Sequence, residues 1–184
     1  MKILPTTISD VVILEPRVFG DARGFFMESW NQQVLDAALG QPVRFVQDNH
    51  SRSQQGVLRG LHYQLEQPQG KLIRVVQGSV WDVAVDIRSR SPTFGQHVAL
   101  ELSADNARQL WIPPGFAHGF LVLSPSADFL YKTTDYYHPA SEQVLLWNDP
   151  ALQIDWPLHR LSGPPLLAAK DRAGLPLSGA RLPV

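Results

Sequence analysis

The sequence predicts an all-β protein whose strands close into a barrel or pack as a sandwich. Ten short segments with strand character follow one another, at 11–14, 25–30, 44–50, 72–77, 79–87, 97–102, 107–112, 118–123, 129–134 and 143–147. No long helices alternate with them, which argues against a parallel sheet with helical crossovers. Turn residues such as Gly78 and Gly95 separate neighbouring segments at short intervals. Val80, Val83, Val85 and Ile87 give segment 79–87 the β-branched side chains that pack well on a pleated surface. Residues 31–39 read as a short N-terminal helix, ended by Gly40 and Pro42. From Pro150 onward the chain turns rich in Pro, Leu and Gly, with Pro157, Pro164, Pro165, Pro176 and Pro183. Proline removes ladder donors, so this stretch is expected to be an arm over the barrel with at most a short helix.

With 184 residues and 44% hydrophobic content, the chain can bury one good core and is too short for two full domains. A single domain over residues 1–184 is expected. Sixteen basic and seventeen acidic residues leave a formal charge of -1, so no global field attracts nucleic acid or an anionic membrane, and an anionic ligand needs a local site. The chain has no cysteine, which excludes disulfides, thiolate metal sites and a cysteine nucleophile. Residues 1–7 lack a signal-peptide pattern, and no apolar run approaches membrane-spanning length. A cytoplasmic protein with no nucleic-acid or membrane partner is the expectation.

Two histidines point to chemistry. His62 lies in Arg59-Gly60-Leu61-His62-Tyr63-Gln64 and His118 in Pro113-Pro114-Gly115-Phe116-Ala117-His118-Gly119-Phe120. Imidazole exchanges protons near neutral pH, and a β-rich chain without nucleotide-fold signatures directs attention to proton transfer. Arg23, Glu28, Arg59, Lys71 and Arg74 interrupt apolar, strand-like stretches. Those that face a barrel interior need partners or ligands. Arg59 and His62 are three apart and face opposite sides of a regular strand, unless Gly60 bends the chain. Tyr131 reads first as a barrel aromatic, and as a general acid only if it faces the pocket opposite a histidine base. Lys170-Asp171 reads as a solvated charge pair on the arm or as a carboxylate folded back onto a histidine.

Pro113-Pro114-Gly115-Phe116-Ala117-His118 resembles the second motif of the cupins, whose architecture is a jelly-roll barrel. The first metal-binding cupin motif has His-x-His and a downstream Glu, whereas this chain has His62-Tyr63-Gln64. Two histidines are too few donors for a transition-metal site, and no metal is expected.

Longer blocks at 19–28, 47–51, 56–64, 70–78, 112–120 and 131–132 together resemble the dTDP-4-dehydrorhamnose 3,5-epimerase family. The resemblance implies a cupin-type jelly roll acting as a homodimer, without metal or nicotinamide, on a dTDP-linked 4-keto-6-deoxyhexose inverted at C3 and C5. It implies that His62 is the base, Asp171 its carboxylate partner, Tyr131 the acid and Lys71 the cation near the C4 carbonyl. Arg59 and His118 are then expected to hold sugar and pyrophosphate, and Arg23, Glu28, Gln47, Asn49, Glu142 and Lys170 to make the remaining contacts. Phe26 and Tyr137 are implied as stacking surfaces for thymine, with part of the site supplied by the partner subunit. The chemistry agrees with these residue types: protons on carbons flanking a ketone are acidic, and inversion needs one base, one acid and an oxyanion stabiliser. Other readings are an epimerase acting on a single carbon of another dTDP-4-keto-deoxysugar, or a non-catalytic nucleotide-sugar-binding cupin.

Overall fold

The computed structural model describes residues 1–183. Its first half runs β1 (Lys2–Pro5), β2 (Val12–Glu15), β3 (Val18–Asp21), β4 (Gly24–Met27), α1 (Gln32–Leu39), β5 (Gln47–Gln54), β6 (Leu58–Gln64) and β7 (Lys71–Gln77). The second half runs β8 (Ser79–Asp86), β9 (His97–Ser103), β10 (Gln109–Ile112), β11 (Phe116–Val122), β12 (Ser126–Thr133), β13 (Glu142–Val144) and α2 (Ala169–Arg172). Two antiparallel sheets face each other, one ordered β1-β2-β10-β7-β12-β5 and the other β13-β6-β11-β8-β9, and β3 and β4 form a separate hairpin. This is the expected all-β jelly roll. Among the described residues no helix is long and apolar enough to cross a membrane.

Three apolar layers explain why many strands read as continuous hydrophobic runs. Between the sheets lie Ile73, Val75, Leu110, Phe116, Phe120, Val122 and Phe129. The outer face of the five-stranded sheet carries Leu61, Val83, Val85, Ala117 and Leu121, covered by Leu152 and Trp156 from the arm. On the outer face of the six-stranded sheet, Val12, Leu14, Leu72 and Trp111 meet Leu35 of α1. Central strands such as β11 are therefore buried on both faces, and polar alternation disappears. The helix begins where expected: the side chain of Asn31 accepts from the Val34 N–H, and Gly40 closes it with φ of 68°.

β5 departs from the expected 44–50, running to Gln54 through polar residues. Its pairing with β12 over eight residue pairs holds it as a strand. Gln47, Asn49 and Ser51 face a cavity while the alternate residues face solvent, so no apolar signal marks the strand. The arm after Pro150 contains one four-residue helix, α2, and two short 3₁₀ turns. It is stitched to the barrel by the parallel bridges Val57–Leu166 and Leu145–Leu175.

Candidate active site

One end of the barrel opens into a cavity of about 320 Å³, within the range of small-ligand sites. β6 supplies Arg59 and His62 to the same cavity, because the strand bulges between them. His62 lies opposite His118 of β11, while Arg59 lies opposite Phe120, so three steps of β6 match two of β11. Glycine is required on both strands there. A Cβ on Gly60 would stand 2.6 Å from the His118 carbonyl oxygen, and one on Gly119 would stand 2.5 Å from the Arg59 carbonyl oxygen. Gly60 also adopts φ of 110°, a region that side chains rarely enter.

The arm returns to this point. α2 sets Asp171, only 2% exposed, against His62, with Nε2 and Oδ1 2.5 Å apart. A buried carboxylate so placed fixes the orientation of the imidazole ring. The second histidine is paired as well: His118 Nε2 lies 3.0 Å from the fully buried Asp82. Among the described residues no three His, Asp or Glu side chains gather as a metal-ligand set. Phe120 and Phe129 stack with centroids 4.1 Å apart, and His118 lies over Phe129 with ring centroids 6.0 Å apart.

Burial governs the ionisation of the titratable groups here. Lys71 of β7 is 8% exposed, and burial lowers its pKa to about 8, against the opposing pull of Asp82 and Glu142. Burial also lowers the pKa of His118, opposed chiefly by Asp82. Tyr131 of β12 has its pKa raised by burial and so retains its phenolic proton. His62 and His118 belong to one sheet, Lys71 and Tyr131 to the facing one. The cavity thus has an imidazole–carboxylate pair on one wall, and a protonated phenol and an ammonium on the other.

Towards the mouth the groups become polar. Arg59 donates from Nε and Nη2 to Ser53 Oγ at 3.1 and 3.0 Å, and no carboxylate pairs with it among the described residues. Lys170 Nζ lies 2.9 Å from both oxygens of Glu142, which also accepts from the Tyr137 hydroxyl at 3.2 Å. Gln47 and Asn49 line the wall beside them, and the Asn49 amide nitrogen is buried without a partner.

Comparison with known proteins now adds the lineage. The family model described as dTDP-4-dehydrorhamnose 3,5-epimerase matches residues 5–178. The chain belongs to this epimerase family. A dTDP-4-dehydrorhamnose 3,5-epimerase of Pseudomonas aeruginosa is 62% identical over 174 residues, covering 95% of this chain and 94% of that protein. One from Salmonella typhimurium is 59% identical over 183 residues, covering 99% and 98% of the two chains. The crystal structure of the Legionella pneumophila dTDP-6-deoxy-D-glucose-3,5-epimerase, in complex with dTDP-4-keto-L-rhamnose, matches with a TM-score of 0.94 at 55% identity. That match covers 99% of this chain and 97% of the other.

Eleven of the fourteen residues to which the family resemblance gave a role line the cavity: His62, Lys71, Tyr131, Asp171, Gln47, Asn49, Arg59, His118, Tyr137, Glu142 and Lys170. Arg23, Phe26 and Glu28 do not line the cavity of the single chain. Arg23 and Phe26 stand on the projecting β3–β4 hairpin, where Arg23 pairs with Asp21, and Glu28 follows the hairpin and accepts from Asn31. Asp82 was missed, although it interrupts the apolar run Ser-Val-Trp-Asp-Val-Ala-Val-Asp as Lys71 and Arg59 interrupt theirs. Ser53 and Phe129 carried no comparable signal.

Proposed function

We propose that this chain inverts C3 and C5 of dTDP-4-keto-6-deoxy-D-glucose to give dTDP-4-keto-L-rhamnose. The observation that carries the reading is the facing of the His62–Asp171 pair and Tyr131 across a cavity that also holds buried Lys71. His62 removes the proton from a carbon beside the C4 ketone, and the C–H electron pair moves onto the carbonyl oxygen. The Lys71 ammonium stabilises the resulting enolate in a low-dielectric site. Tyr131 delivers its proton to the opposite face of that carbon, inverting it, and solvent restores both groups before the second carbon reacts. No net oxidation occurs, so the balance needs no redox cofactor, and a cytoplasmic reaction is part of the same proposal. Unpaired Arg59 and the free Asn49 donor suit the diphosphate and nucleotide oxygens. The half-exposed Tyr137 ring suits the thymine face.

The deciding experiment is proton NMR in deuterated water with dTDP-4-keto-6-deoxyglucose. Both the C3 and C5 signals are expected to disappear as product forms. Loss of one signal alone would make the chain a single-carbon epimerase, and binding without exchange would make it a non-catalytic module. Tyr131→Phe is expected to slow inversion about 100-fold while exchange at both carbons continues faster than inversion. Inversion at the parent rate would transfer the acid's role to another group.

A homodimer completes the proposal. Phe25 and Phe26 are 71% and 70% exposed on the β3–β4 hairpin, beside exposed Val18 and Phe19. Side chains of this kind call for a covering surface. A second copy whose cavity accepts the hairpin brings Arg23 and Phe26 to a site that the single chain leaves without them. In that arrangement, mixing inactive His62→Ala and Arg23→Ala chains through unfolding and refolding restores one intact site per mixed dimer. The mixture is expected to recover about a quarter of parent activity. No recovery in dimers shown to be mixed would remove the shared site.

A further inference from the structure

The β6 residue two positions beyond His62 also faces the cavity, yet its side chain is directed at the protein itself. Gln64 is buried, and its amide clasps two loops. Nε2 donates to the carbonyls of Gln67 at 2.8 Å and Tyr136 at 3.2 Å, and Oε1 accepts from the His138 N–H at 3.0 Å. Between the last two contacts, the Tyr137 N–H donates to Gln47 Oε1 at 3.0 Å. Three consecutive backbone positions around Tyr137 are thus held by two glutamines from two different sheets. Gln47 is engaged at its other end as well, donating from Nε2 to Asn49 Oδ1 at 3.0 Å.

We infer that Gln64, acting with Gln47, is a positioning residue for ligand binding: it holds Tyr137 in place at the mouth so that the ring is already set when a nucleoside diphosphate arrives. The inference rests on the reading of Tyr137 as a surface for the nucleobase. A primary amide suits the task, because it accepts one hydrogen bond while donating two in the same plane. Neutral imidazole has a single donor and a carboxylate has none. Tyr137 itself is half-exposed, so packing alone does not hold it. Its hydroxyl contact with Glu142 fixes the ring tip, and the glutamines fix the backbone beneath it. Order established before binding removes an entropic cost from binding, and the effect falls on affinity rather than on the chemical step.

The test is a double-mutant cycle read by calorimetric titration with dTDP and by steady-state kinetics. Gln64→Leu is expected to weaken dTDP binding about 10-fold and raise KM similarly, with kcat within about threefold of the parent. Tyr137→Ala is expected to weaken dTDP binding by itself, and adding Gln64→Leu to it should then cost less than about twofold. A repeated 10-fold loss on the Tyr137→Ala background, or an unchanged affinity of Gln64→Leu, would overturn the positioning role while leaving the nucleobase reading intact. Unchanged affinity of Tyr137→Ala would overturn the nucleobase reading and the inference with it. Should Gln64→Leu fail to fold, Gln64→Glu serves the same cycle, since it retains an acceptor for the His138 N–H and loses both donors. Its carboxylate oxygen then faces the carbonyls of Gln67 and Tyr136, so the loss of affinity is expected to be at least as large, and it should also vanish on the Tyr137→Ala background.

Discussion

Replacing His62 by alanine is expected to lower epimerisation about 10,000-fold while dTDP affinity stays within about twofold of the parent. The asymmetry follows from position. His62 lines the cavity against Asp171, whereas Arg59 and the polar groups of the mouth are the ones that suit the nucleotide. The other histidine of the cavity, His118, lies directly opposite His62 and is committed to Asp82. In deuterated water the variant should retain both the C3 and C5 proton signals. Continued exchange at one carbon at the parent rate would assign a second base to that carbon.

Lys71→Met is expected to lower kcat about 100- to 1,000-fold, the cost of losing one charge-stabilising group from an enolate site. Two further effects separate electrostatics from simple damage. In the parent, kcat/KM should fall as pH rises through about 8, because Lys71 then loses its proton and the cavity loses its cation. The variant should lack this alkaline limb. The second effect is on stability. A lysine whose pKa drops from 10.5 to about 8 on folding destabilises the folded state by about 3 kcal/mol at neutral pH. That cost is fully present below pH 8 and is relieved between about 8 and 10.5. Urea unfolding should therefore find Lys71→Met more stable than the parent at pH 7, with the difference shrinking over that interval. A variant less stable than the parent at pH 7 would show that the ammonium's interactions with Asp82 and Glu142 outweigh its desolvation.

How far such a site can be read from sequence depends on what holds each residue in place. His118 and Lys71 are identifiable because each is a polar residue inside an apolar strand, and burial of such a residue calls for a reason. Asp82 obeys the same rule and could have been found by it. Residues 59–64 read as strand-like, and Gly60 marks the place where the chain could bend, but period-two reasoning leaves open whether Arg59 and His62 share a face. The bulge in β6 decides the site, since it sets Arg59 and His62 on one wall although they are three apart. β5 was misplaced for a related reason: a strand between solvent and a polar cavity has no apolar face to announce it. Asp171 is harder still, since 109 residues separate it from His62 and only tertiary folding of the arm makes them partners. Resemblance to the family named it; residue spacing left it a plausible surface charge. Similarly, nothing local assigns Arg23 and Phe26 to a second chain, though the exposure of Phe25 and Phe26 marks the hairpin as unfinished surface.

The arm that supplies Asp171 is joined to the barrel by its own apolar layer and two isolated bridges, separate from the core between the sheets. Proteins open in units, and a segment attached in this way can detach at less than the free energy of global unfolding. Each such opening withdraws the carboxylate from His62 while both sheets stay paired. If the His62–Asp171 pair is the proposed base, catalytic competence and folded structure would then be two different equilibria, the first governed by how firmly the arm adheres.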